Sequence, residues 1–416
     1  MLFNLRFDIL KKVFKYSLVY QMGDRMTALI HSGRAVGVLF FGLLLLLLNL
    51  AGAADISSCT YINTPDDYLL TADLIGNKSD GICITINTSN VTIDCNGYSI
   101  TGDYVYTGLT IGIGNYDARN NVTIKNCYIT NYTFGIYANL SNQYNITNNS
   151  LIANGKAGIF FDSTENSTIL SNTINDTFWT AEDPGGNYFQ FCYWSSANFY
   201  KFEGGIILCS SNYTTISYNY IKGNGTCSGS GCLSNHNGSE AGIFTYNSRL
   251  NNITYNIFRN SGDNYDSLYF YSYDTNYWYN DQNGTDPSTG NWNVNDGIKL
   301  DNSKRFNISH SNFSNNYEWG IFFTWGDDSY IYNNTASYNQ YVGIRLARSA
   351  NNTAISNTAF QNQEGFRVEY AEAINNTLAN NIAYNNSYYG FYLSSSSNNT
   401  FTNNSAYSNS RYGFYL

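Results

Sequence analysis

Proline is almost missing from this sequence, with 3 residues in 416, and histidine and methionine are equally rare at 3 each. With so little proline the chain has no polyproline linker to hold domains apart. Beyond residue 50 only His236 and His310 remain, with no methionine, so no cluster of imidazole or thioether ligands is available for a metal such as copper. Charged residues make up 12% and the formal net charge is −9. There is no basic stripe to neutralise phosphates, which argues against nucleic acid as a partner. Leucine is scarce after residue 50, and no segment there keeps a helical apolar period.

What the chain does have is a repeat. Five segments open alike: Gly297-Ile298-Lys299-Leu300, Gly320-Ile321-Phe322-Phe323, Gly343-Ile344-Arg345-Leu346, Gly365-Phe366-Arg367-Val368 and Gly390-Phe391-Tyr392-Leu393; a sixth is Gly413-Phe414-Tyr415-Leu416. They recur roughly every 23 residues, within the range of stacked repeats. Each unit continues with a second short run, such as Thr353-Ala354-Ile355, then asparagine, then a third run such as Ala383-Tyr384. Apolar and polar residues alternate within the runs, which is strand periodicity. Glycine and asparagine between them tolerate positive φ and suit tight corners. Three short strands and three corners per unit describe one turn of a parallel β-solenoid, with turns about 4.8 Å apart. Ten or more turns would give a rod roughly 50 Å long. A leucine-rich repeat shares the period and an asparagine ladder, but leucine is scarce here and the run after the asparagines is again strand-like.

The order of segments supports export. Arg6, Lys11, Lys12, Lys15, Arg25 and Arg34 precede the apolar run Val36–Leu50, and Ala51-Gly52-Ala53 suits cleavage, so residues 1–53 read as a signal peptide or an uncleaved signal anchor. Met26 is the more ordinary start for such a leader. Either form places the rest outside, with a membrane engaged only through this segment if it stays uncleaved. All eight cysteines follow it: Cys59, Cys83, Cys95, Cys127, Cys192, Cys209, Cys227 and Cys232. An even number in an exported chain suggests disulfides. Cys95 and Cys127 follow the parallel runs Asn90–Ile93 and Asn121–Ile124, which fits adjacent turns, and Cys227 and Cys232 bracket a short loop. Cys59–Cys83 and Cys192–Cys209 are then left by subtraction. Asn-x-Ser/Thr acceptors, among them Asn90, Asn121, Asn145, Asn307 and Asn375, number roughly two dozen, a pattern that an Asn-, Ser- and Thr-rich repeat also generates by chance.

The residues after the leader are also familiar. Ile82-Cys83-Ile84, Asn90-Val91-Thr92-Ile93-Asp94-Cys95-Asn96-Gly97 and Ile100-Thr101-Gly102, with the later Gly-Ile-x-Leu units, resemble proteins of the NosD-like type in the pectin-lyase-like superfamily. The resemblance covers nearly everything after residue 53. It implies an all-β, right-handed parallel β-helix. Such helices serve lyases, hydrolases, adhesins and copper-maturation proteins alike, so fold does not choose function; the copper role is not carried over. Residues 54–107 read as an N-terminal cap and first turns, and 108–416 as the repeats, interrupted by insertions near 178–202, 223–239 and 261–294. The first and third insertions are rich in Tyr, Trp and Phe.

Aligned on the glycine, the next residue points inward and the one after it outward. The outward row includes Lys299, Phe322, Arg345, Arg367 and Tyr392, read as an exposed ladder that stacks on sugar rings and bonds hydroxyls or carboxylates. Cross-turn pairing that merely stabilises the sheet is the competing reading. Asp296, Asp301, Glu318, Asp327 and Asp328 fall on neighbouring turns and are the candidate carboxylates for glycoside hydrolysis; calcium is the one cofactor their oxygens would suit. Asp327-Asp328 also fits a solvated corner. The leading expectation is therefore an exported or cell-surface rod that binds a polysaccharide or surface glycan. The alternatives are a polysaccharide hydrolase or lyase on the same fold, and a structural surface-layer component.

Overall fold

The structure, a computed structural model, describes residues 53–102, 109–175, 204–223, 241–260, 296–316 and 318–416. But for a residue at their margins, the leader and the three expected insertions lie outside these ranges, as do Cys192, Cys227 and Cys232. Every regular element among the described residues is a strand.

The strands form three parallel sheets of 13, 12 and 13 members, and the chain visits first, second and third sheet in turn. One turn comprises Asn142–Thr147, Ser150–Ile152 and Ala157–Asp162. The second sheet receives one strand per turn, so its 12 strands count twelve full turns of a right-handed parallel β-helix. At about 4.8 Å per turn the rod is roughly 55–60 Å long.

Register explains the core. Ile159, Ile206, Ile243, Ile298, Ile321 and Ile344 are direct partners up the third sheet. Ile169, Ile216, Ile253, Ile308 and Ile331 do the same on the first. β-Branched side chains suit such pleated, packed rows. Toward the last turns the second sheet contributes Ala336, Ala359 and Ala383, while the third contributes Phe366 and Phe391, stacked at 4.8 Å. Small and large residues thus compensate across the cavity and keep the interior filled.

The corners are closed by two devices. The first is positive φ at non-glycine residues: Asn148, Ser171, Tyr218, Tyr255, His310 and Asn333 occupy one corner on successive turns. The motif glycines play a different part from the one expected. None of them has positive φ. Their role is close approach: a Cβ on Gly365 would lie 2.6 Å from the Gly390 carbonyl oxygen and 2.8 Å from Ala383 Cβ.

The second device is a buried amide ladder. Asn357 Oδ1 accepts the backbone N–H of Asn334 at 3.0 Å and its Nδ2 at 3.0 Å. The Nδ2 of Asn357 donates to Ile331 O at 2.8 Å and to Asn381 Oδ1 at 3.1 Å. Removing that amide orphans buried donors and acceptors, so Asn357→Ala is expected to lose about 2–3 kcal/mol, measured as a lower urea midpoint. Asn357→Ser should lose less, because Ser311 already serves in the same ladder by accepting the Asn256 N–H.

Two of the expected disulfides are present, Cys59–Cys83 and Cys95–Cys127, each joining neighbouring turns near the start of the rod. Cys209 is also disulfide-bonded. By loop-closure entropy each of the first two restrains the unfolded chain by about 3–4 kcal/mol.

Candidate functional site

The third sheet differs from the other two. Strands of the first and second sheets alternate buried with half-exposed residues, but Phe134–Asn139, Ala157–Asp162 and Val342–Ala347 are buried almost throughout. Their outward side chains therefore pack too. Phe134, Tyr137, Phe160, Ile207 and Phe244 form a second apolar cluster on the outer face, separate from the core. This corrects the expectation of one continuous exposed ladder: Tyr137, Phe160, Ile207 and Phe244 are buried, as are Phe322 and Arg345 further along the same row, and burial pushes the Tyr137 phenol up. Gly-x-apolar at the outward position is what a doubly buried strand writes.

The second half of that face is polar. The outward row changes from Phe244 to Lys299, Phe322, Arg345, Arg367, Tyr392 and Tyr415 on successive turns. Arg345 is 3% exposed and is held over the rings of Trp319 at 4.6 Å and Phe322 at 4.8 Å. Its Nε donates to Glu369 Oε1 at 2.7 Å. Arg367 donates from Nε to the other oxygen, Glu369 Oε2, at 2.7 Å, and lies over the Tyr392 ring at 4.7 Å. Its Nη1 reaches Glu364 Oε1 at 3.5 Å. One carboxylate thus serves two guanidinium groups, and two glutamates balance two arginines.

Glu364 is the exception within this balance. It is 5% exposed, and its Oε2 has no hydrogen-bond partner. Burial raises its carboxyl above the ordinary range, with Arg367 pulling the other way. A raised value means that the folded state disfavours ionisation. Its stabilising contribution is complete below about pH 4.3, the ordinary glutamate value, and is lost as pH rises through the raised folded value. The difference in melting temperature between Glu364→Gln and the parent should therefore be near zero at pH 4 and grow in favour of the variant toward pH 7. A difference that is flat with pH would remove the buried acid from the account.

Beyond Glu364 the face opens into tyrosines. Tyr389 stacks on Tyr412 at 5.9 Å and Tyr392 on Tyr415 at 5.3 Å, with Tyr412 54% exposed. Ring faces here are turned to the neighbouring turn, so the surface presents ring edges and hydroxyls. That differs from the expected stacking of sugars on ring faces, and follows from parallel register placing like side chains directly over one another.

The candidate carboxylates divide into two places. Asp296 opens its third-sheet strand, buried, and accepts the Trp319 N–H at 3.2 Å, beside half-buried Glu318. Asp301 closes the same strand; burial raises its carboxyl, opposed by Lys299. Asp327 and Asp328 lie past the far end of Trp319–Thr324, a strand about 16 Å long. That exceeds the roughly 5–9.5 Å between the paired carboxyls of glycosidases, so Asp296 and Asp327 do not form such a pair. Asp327 bonds Lys304 Nζ at 2.7 Å and the Ala350 N–H at 2.9 Å, and Asp328, at φ 55, accepts from Asn351 at 3.2 Å, both as corner residues. Among the described residues, no three His, Cys, Asp or Glu side chains converge as a metal set. Glu369, the centre of the network, was not singled out by sequence. Its signal was Glu364, Arg367 and Glu369 within one six-residue strand of a chain with little charge.

A family model described as the right handed beta helix region matches residues 48–185 and 277–416. Among solved structures, the Dettilon tailspike protein aligns with a TM-score of 0.55 and 16% identity, over 82% of this chain and 60% of its own. The A-module of a mannuronan C-5 epimerase from Azotobacter vinelandii aligns with 0.49 and 10%, over 86% and 92%. DFA-IIIase from Arthrobacter chlorophenolicus aligns with 0.42 and 12%, over 70% and 60%. The chain spans about 60% of the length of the tailspike and of DFA-IIIase. The tailspike likeness concerns the fold. No curated protein matches the sequence.

Proposed function

The chain belongs to the right-handed beta helix family, and from that premise we propose that it is an exported rod that binds a neutral polysaccharide along the outer face of its third sheet, from Trp319 to Tyr415. The observation that carries this reading is the row of tyrosines repeated on successive turns, Tyr389 and Tyr392 over Tyr412 and Tyr415, with the buried ion-pair network beneath its start. Turns recur at about 4.8 Å, close to the length of one sugar unit in a polysaccharide. A repeating surface of that pitch suits a repeating ligand rather than a single small molecule. The arginines are already neutralised by Glu364 and Glu369, and the chain carries a net charge of −9, so a polyanionic glycan is disfavoured.

Glu364 supports a second reading, that the same face cleaves the glycan. Glu364 and Glu369 stand at opposite ends of one strand, but their carboxyls lean onto the same Arg367 guanidinium, and a buried carboxyl that favours its proton beside a carboxylate held by arginines is the type of pair that glycoside hydrolysis uses. The test is incubation of the full chain with a panel of neutral and acidic polysaccharides, following retention and the release of new chain ends. Retention of neutral polymers without release supports the binding rod. Release that disappears in Glu364→Gln supports the enzyme. No retention of any polymer sinks both.

A further inference from the structure

We propose that this chain carries N-linked glycans on its first two sheets and its corners, and none on the outer face of its third sheet from Ala157 to Tyr415. The proposal rests on the exported reading above, since the modification belongs to exported chains.

The structure sorts the Asn-x-Ser/Thr acceptors in a way the sequence did not. None of the acceptor asparagines among the described residues is buried. The buried ladder asparagines are never acceptors, and strand geometry says why. In Asn334-Thr335-Ala336 and Asn357-Thr358-Ala359, the residue two places after the ladder asparagine points into the core and is alanine. The corner asparagine one place earlier meets an outward threonine at that distance, as in Asn351-Asn352-Thr353 and Asn375-Asn376-Thr377. The period-2 alternation of a strand therefore exposes the acceptor and protects the ladder.

Two places collect these acceptors. Asn351, Asn375 and Asn398 occupy one corner on three successive turns, each at φ near +57° (58, 58 and 56) and each exposed. Asn145, Asn252 and Asn307 stand on the outer face of the first sheet. On the third sheet one acceptor, Asn139 of Asn139-Leu140-Ser141, stands at the end of Phe134–Asn139, and the strands from Ala157–Asp162 to Tyr412–Tyr415 contain no asparagine at all. Bulky glycans would clothe two sides of the rod and leave the third open from Ala157 onward.

The chemistry asks for an oligosaccharide linked through phosphate to a lipid, and for the transferase that uses it. The amide Nδ2 forms a bond to the anomeric carbon as the bond from that carbon to the phosphate oxygen breaks. The lipid phosphate leaves with the electron pair, and the amide proton passes to a base of the transferase. The modified asparagine keeps one N–H, enough for the corner bond that Asn375 Nδ2 makes to Asn351 Oδ1 at 3.4 Å. Sugar rings are wider than the spacing of about 4.8 Å between turns. Occupancy in the Asn351, Asn375 and Asn398 run therefore alternates.

The test is the intact mass and glycopeptide map of the full chain isolated from its own host. The expected result is a mass above that of the polypeptide, with glycans on first-sheet and corner acceptors and no two neighbours of the corner run occupied in one molecule. Thr377→Ala, which keeps Asn375 but removes the hydroxyl, should abolish occupancy at Asn375 alone. An unmodified chain, or glycans confined to acceptors outside the described residues, overturns the proposal. Polysaccharide retention by unmodified recombinant chain is scored separately, so a chain that binds yet leaves its host unmodified removes this inference and keeps the binding reading.

Discussion

Glu369→Ala is expected to cost about 3–5 kcal/mol, because it leaves the two guanidinium groups of Arg345 and Arg367 without the carboxylate they share. The magnitude comes from burial. Glu369 and Arg345 are each 3% exposed, so water cannot replace the lost partner. A surface pair would contribute less than about 1 kcal/mol. The loss should be read as a lower urea midpoint with the slope unchanged. The double variant Glu369→Leu with Arg345→Leu should recover much of it, since an apolar pair of similar volume removes the uncompensated charge. A single variant with a loss below about 1 kcal/mol would show that the network is solvated.

Gly365→Ala should be nearly as damaging, at about 3 kcal/mol or more, for a steric reason. The new methyl would meet the Gly390 carbonyl at 2.6 Å, Ala383 Cβ at 2.8 Å and Asn386 Nδ2 at 3.1 Å. The first two belong to the backbone or its first carbon and cannot rotate away. Relief would require separating two turns and breaking the ladder between them. Gly413→Ala is the control: its nearest neighbour, Ala406 Cβ, is at 3.2 Å, and the next contact is at 3.6 Å. Equal losses at the two positions would point to helix-wide strain rather than close approach.

The repeat was legible because a solenoid writes its fold locally. Inward Ile159, Ile206 and Ile243 and outward Thr168 and Thr215 alternate within strands too short to be read otherwise. The direction of each outward residue was legible for the same reason. Its exposure was not, because alternation tells which face a residue is on and says nothing of what lies over that face. Phe160, Ile207 and Phe244 read either as part of an exposed ladder or as cross-turn pairing within the sheet, and the structure makes them a second buried cluster. The part of the motif glycines was also hidden. A glycine that avoids a clash with the next turn looks, in sequence, like one that turns a corner. Glu369 was missed because the alignment followed only the first outward position after each glycine, and Glu369 occupies the next one. Asp327 and Asp328 read in sequence either as candidate acids or as a solvated corner; in space they bond Lys304, Ala350 and Asn351 at a corner.

The central claim is that glycans meet the outer face of the third sheet, and hydroxyl-radical footprinting of the full chain with a retained polysaccharide tests it most directly. The account predicts protection of Trp319, Tyr389, Tyr392, Tyr412 and Tyr415, with the stacked second-sheet ladder Phe360, Tyr384 and Tyr407 labelled as in the free protein. Protection of that second-sheet ladder, with the third-sheet tyrosines unchanged, would contradict it.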